Sequence, residues 1–122
     1  FAQMPIEVDA GPEILTGSTR LKAGTAQKLI LNMLSTGAMI GSGKVYQNLM
    51  VDVKPSNEKL EERSKRIIMQ ATDCTYETAS ETFAAADHQV KLAIVMILTD
   101  SNKATATQKL TEAKGFIRET LA

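Results

Sequence analysis

Five side chains able to hold an anion crowd into one short run, Thr16, Ser18, Thr19, Arg20 and Lys22. Arg20 can grip a phosphate or carboxylate through two parallel N–H bonds, and Lys22 can add a point charge. An apolar helical pattern follows directly, so the run falls where a helix begins. Unpaired N–H groups at a helix N-terminus favour an anion as well. The combination predicts a phosphate or carboxylate ligand near Thr16–Lys22. A polar cap with two solvated cations has the same residue pattern, and spacing does not separate the two readings. Glu13 stands just before the run, at the end of a predicted strand, where ligands of open α/β sheets gather. Its carboxylate can orient ligand hydroxyls, move a proton, or bond into its own loop.

The elements that must position these groups are readable in outline. Pro5–Val8 has strand character, and Gly11-Pro12 ends it. A lone strand is not stable in water and needs a sheet. Apolar spacing at Leu29, Ile30, Met33, Leu34 and Ala38 predicts a helix from about Thr19 to Ile40. Gly24 inside it costs roughly 1 kcal/mol relative to alanine, and leaves room for another backbone or a ligand. Gly37, Gly41 and Gly43 loosen and end the helix, and Asn48–Val53 reads as extended. Lys54-Pro55-Ser56 reads as a hinge, with a domain boundary near residue 55 and Ser56 or Asn57 capping the next helix.

Beyond the hinge the pattern is one of short amphipathic helices. Leu60, Ile67, Ile68 and Ala71 share a face of the first. Thr75 caps the second, with Glu77 in its first turn and Tyr76, Ala79 and Phe83 inward. Asp87 is placed to cap the third, where Val90, Ala93, Ile94, Ile97 and Leu98 face the core. Leu110 and Ala113 mark a fourth, which Gly115 breaks before Phe116, Ile117 and Leu121.

Composition narrows the function classes. Among 122 residues the formal net charge is zero, so no basic excess is present to bind nucleic acid or anionic lipid. Aromatics are 4% of the chain, so aliphatic side chains must supply the packing, which suits helices. No segment reaches the roughly 18 consecutive apolar residues of a membrane span. Phe1–Ile6 lacks the basic start and long apolar run of a signal peptide. The chain starts close to a strand, which reads as part of a longer protein. Cys74 is the single cysteine and cannot form an internal disulfide, which points to a reducing compartment. His88 is the single histidine, and no ligand set for zinc accompanies it. Gly37–Lys44 has a P-loop flavour, but Ala38 sits where the first glycine belongs and Val45 where a Ser or Thr would meet Mg²⁺. Glu61–Lys65 and Glu62–Arg66 fall at i,i+4 in a solvated charge run.

The run Gly11-Pro12-Glu13-x-x-Thr16-Gly17-Ser18-Thr19-Arg20-Leu21-Lys22-Ala23-Gly24-Thr25-Ala26-Gln27-Lys28 closely resembles the signature of N-acetylmuramic acid 6-phosphate etherases and the related glucokinase regulatory proteins. Both belong to the sugar isomerase (SIS) superfamily. Leu29–Thr36, Gly43–Tyr46, Asn48–Val53, Asn57–Leu60 and Val90–Met96 also resemble the bacterial etherase. Thr75–Leu98 is similar in pattern to a ubiquitin-associated (UBA) domain, as packing geometry and not as a ubiquitin-binding surface. The resemblance implies a mainly α chain. Residues 1–54 would be the C-terminal strand and long helix of an incomplete α/β SIS domain, and 55–122 a UBA-like helical bundle.

The implied activity is that of a cytoplasmic, homodimeric lyase of cell-wall sugar recycling. It cleaves the D-lactyl ether of N-acetylmuramic acid 6-phosphate, without metal or other cofactor. The alternative is a non-catalytic sugar-phosphate-binding regulator of the same superfamily. The family's catalytic glutamates lie N-terminal to the matched region, so no catalytic residue is expected here. Ser18, Thr19, Arg20, Lys22 and Glu13 are the substrate-binding candidates. Some positions depart from the family pattern. Gln47 stands where glycine is common and Gly41 where arginine is frequent, while Asp73 and His88-Gln89 replace glycine-containing turns.

Overall fold

The computed structural model describes residues 3–122. Phe1, on which part of the signal-peptide reading rests, lies outside them. The chain is mainly α: α1 (Lys22–Gly41), a hairpin of β1 (Val45–Tyr46) and β2 (Leu49–Met50), then α2 (Glu58–Thr72), α3 (Tyr76–Ala85), α4 (Val90–Leu98) and α5 (Lys103–Glu112), and a final 3-10 turn at Arg118–Leu121. It divides into two compact units, one ending at Ala38 and the other Met39–Ala122.

In the first unit, α1 follows an irregular segment. Pro5–Val8 forms no strand, because the described residues offer it no edge to pair with. α1 starts at Lys22 and not near Thr19, and it buries no residue. Leu31 and Met33 are 65% and 66% exposed. A helix with apolar side chains on several faces is one that other structure normally covers. Gly24 faces open space, as do Gly37 and Gly41. Gly37 to Gly41 are helical, so no phosphate-cradling loop forms there.

The second unit holds the core. It opens with the end of α1, where Gly43 N–H donates to Ile40 O and Lys44 N–H to Met39 O, a glycine-terminated helix stop. A Cβ on Gly43 would stand 2.9 Å from the Gly115 carbonyl oxygen, and its φ of +68° is left-handed. Both facts require glycine. The antiparallel hairpin that follows pairs Val45 with Met50 and Tyr46 with Leu49. Val51, 1% exposed, joins the same core as the helices. Its packing places the hairpin with the helices of the second unit.

Asn57 caps α2 by accepting from Leu60 N–H, and Thr75 caps α3 by accepting from Thr78 N–H. Ile67, Ile68, Ala71, Ala79, Phe83, Val90, Ala93 and Ile94 are buried together, and α4 packs against α2, α3 and α5. Ala106 and Ile117 complete the core. Ser64 is also fully buried, its hydroxyl donating to Leu60 O at 2.8 Å.

Several expected contacts differ. Tyr76 is 41% exposed and not inward. Its hydroxyl donates to Glu62 Oε1 at 2.8 Å and accepts from Lys65 Nζ at 3.3 Å. That shared partner draws Lys65 to Glu62, at 2.7 Å and i,i+3, in place of Glu61. Asp87 does not cap α4. Asp87 and His88 both adopt positive φ, Asp87 pairs with Lys103, and the N-cap Gln89 makes no side-chain bond. The His88 ring meets Phe83 edge-on at 5.0 Å.

Candidate functional site

The signature run folds as a closed loop in front of α1. Gly11 N–H donates to Asp9 Oδ1 at 2.8 Å, which turns the chain before Pro12. Ser18 N–H donates to Leu15 O at 3.0 Å across a turn at Thr16–Gly17, and Gly17 has a φ of +83°. The loop is tied at its base by Glu13. Lys22 N–H donates to its Oε2 at 3.0 Å and Ala23 N–H to its Oε1 at 3.1 Å. Both oxygens are thereby committed to the first free amides of α1, which has no acid in its own first turn.

Those backbone bonds hold the Glu13 carboxyl below the usual glutamate range, Lys22 N–H first and Ala23 N–H second, with the Lys22 charge helping. Partial burial opposes them. Of the roles open to Glu13, the geometry holds the bond into its own loop. It also answers the question left by spacing at α1 itself: the helix N-terminus does hold an anion, and that anion is a side chain of the same loop.

The remaining candidates are arranged differently. Arg20 and Lys22 line one depression of about 580 Å³ with Ala10, Thr25 and Leu29. Among the described residues, neither cation makes an ion pair. Lys22 lies within electrostatic reach of Glu13, which leaves Arg20 as the less compensated charge. The Ser18 hydroxyl is buried and has no hydrogen-bond partner among the described residues. A buried hydroxyl of this kind is costly unless something satisfies it. Thr16 and Thr19 are exposed. The structure thus brings Arg20 and Lys22 to one wall, leaves Ser18 open inside the loop, and withdraws Glu13 to the base.

Ala10 and Thr25 are wall residues that carried no signal in the sequence, since neither type marks a site by itself. A second depression, about 490 Å³ and lined in part by Lys54, Asp87, His88 and Lys91, contains no residue of the signature run. Among the described residues no three His, Cys, Asp or Glu side chains converge as a metal site would require, and no helix is long and apolar enough to cross a membrane.

No protein-family model matches the chain. Individual relatives do. The chain is 74% identical over 121 residues to N-acetylmuramic acid 6-phosphate etherase 2 of Enterococcus faecalis, covering 99% of this chain and 41% of that protein. It is 70% identical over 118 residues to the Lactiplantibacillus plantarum protein of the same name, covering 97% and 40%. The N-acetylmuramic acid 6-phosphate etherase of Shouchella clausii is 67% identical over 121 residues, with 99% and 41% covered. Along nearly its whole length, the chain is therefore homologous to a part, about 40%, of the N-acetylmuramic acid 6-phosphate etherases.

Proposed function

We propose that the chain is the C-terminal portion of an N-acetylmuramic acid 6-phosphate etherase, contributing the loop that meets the sugar phosphate. The observation that carries this reading is the 74% identity across 121 residues, which extends well beyond the signature run. In the proposed reaction a base removes the proton next to the sugar aldehyde carbon. The lactyl ether bond then breaks, lactate leaves, and water adds to the unsaturated intermediate. N-acetylglucosamine 6-phosphate and D-lactate result. Such a sequence uses one carboxylate as base and one carboxylic acid as proton donor. This chain supplies neither group in our reading. Its part is binding, with Arg20 on the phosphate, Lys22 adding charge, and Ser18 and Thr19 donating hydroxyls.

The first unit would be completed by the rest of an SIS domain, whose sheet would cover the apolar faces of α1. The helices after residue 55 would form the UBA-like bundle, and the full protein would work as a cytoplasmic homodimer. The exposed apolar helix and the packing of α3 and α4 into one core support this assignment. Arg20→Ala in the full-length protein tests the binding role. A charge-assisted bond of this kind predicts a rise in KM of about tenfold or more. An unchanged KM would remove Arg20 from the site.

A further inference from the structure

We propose that Glu13 is a positioning residue of the sugar-phosphate loop, a lock that fixes Ser18, Thr19 and Arg20 by holding both ends of the loop together. This rests on the etherase reading and adds to it. The two carboxylate oxygens reach across to Lys22 N–H and Ala23 N–H at 3.0 and 3.1 Å, so residues 14–21 form a closed excursion between a side chain and a helix start. Within that excursion the only other backbone bond among the described residues is Ser18 N–H to Leu15 O. The loop has few internal ties, and its shape depends on its base.

Two consequences follow for ligand binding. Glu13 already occupies two of the α1 amides, Lys22 and Ala23, that an incoming phosphate would otherwise use, which shifts more of its binding onto side chains, Arg20 above all. The Ser18 hydroxyl, buried without a partner, is presented by the closed loop and would turn away if the base opened. Glu13 thus acts on the ligand through the loop. It touches neither substrate nor reacting atoms.

The test is Glu13→Gln in the full-length protein, which keeps size and removes the charge. Amide hydrogen exchange at Lys22 and Ala23 reads the lock itself, and D-lactate release from N-acetylmuramic acid 6-phosphate reads its effect. Exchange at both amides should quicken, and KM should rise about fivefold, the factor typical of a lost cap, with kcat within twofold. Adding formate to Glu13→Gly, whose cavity admits a small carboxylate, should restore part of the lost KM. Unchanged exchange would overturn the lock. A collapse of kcat at constant KM would overturn it too, by making Glu13 a catalytic group. Lower thermal stability with unchanged KM would reduce Glu13 to a plain structural cap and likewise sink the proposal. If the wild-type protein releases no lactate, the etherase reading fails, whereas the lock is still decided by exchange and by the calorimetric affinity for the same sugar phosphate.

Discussion

The unit ending at Ala38 and the unit Met39–Ala122 place their apolar side chains in opposite ways. In the first, Ile14, Leu29, Leu31, Met33 and Leu34 are all more than half exposed, and α1 buries nothing. In the second, Ile68, Phe83, Val90 and Ile94 are at most 1% exposed. Amphipathic helices joined by short capped turns close on themselves, whereas a helix with apolar residues on several faces needs covering from elsewhere. The difference separates a part that folds around its own core from a part whose apolar faces stay uncovered. The signature run belongs to the second kind of part. Its local order comes from polar bonds, Glu13 above all, and not from burial.

Substitution should split the units most clearly in the core. Phe83→Ala should destabilise the bundle by about 3–5 kcal/mol, while Leu31→Ala in α1 should stay within about 0.5 kcal/mol in the 122-residue chain. Urea unfolding of the two variants checks this, and equal losses would erase the contrast. Gly43→Ala comes next. Its Cβ would meet the Gly115 backbone, which cannot yield as a flexible side chain does, at a positive φ. A loss of about 1–3 kcal/mol follows, confined to the second unit and visible in the same assay.

A smaller effect of opposite sign is expected at Gln47. Its φ is +55°, a cost that glycine avoids, so Gln47→Gly should raise the bundle's stability by about 1 kcal/mol. The last effect is confined to the first unit. The Glu13 carboxyl lies below its ordinary 4.5. Its contribution is therefore complete above that value and is lost as the pH falls through the lowered one. The protection factors of the Lys22 and Ala23 amides, exchange relative to the intrinsic rate at each pH, should fall over that acid range. The Glu62 carboxyl, held down by Lys65 and then Tyr76, should release the α2–α3 surface contact in the same direction.

Much of the second unit was legible in the sequence because its rules are local. Asn57 and Thr75 cap helices through bonds three residues away, and the spacing of Val90, Ala93 and Ile94 names a buried face. Glycine-favouring turns were legible too: Gln47, Asp73 and His88, noted as departures from a glycine pattern, all have positive φ. What failed depended on partners distant in sequence. Pro5–Val8 lacks an edge to pair with. Tyr76 turned outward because Glu62 and Lys65 offered its hydroxyl two bonds. Asp87 was lost as a cap once its own backbone became left-handed and Lys103 paired with it. In the signature run, Arg20 and Lys22 do share a wall. The seat at the α1 amides went to Glu13, and a contact between residues nine apart in an irregular loop follows no periodicity that spacing could reveal.

In the proposed reading this chain lends a sugar-phosphate loop to an etherase whose acid and base lie outside it. D-lactate release from N-acetylmuramic acid 6-phosphate, compared between the full-length protein and the 122-residue chain alone, tests it most directly. The full-length protein should release lactate and the chain alone should release none. No release by the full-length protein would contradict the etherase reading, and release by the chain alone would contradict the division of labour.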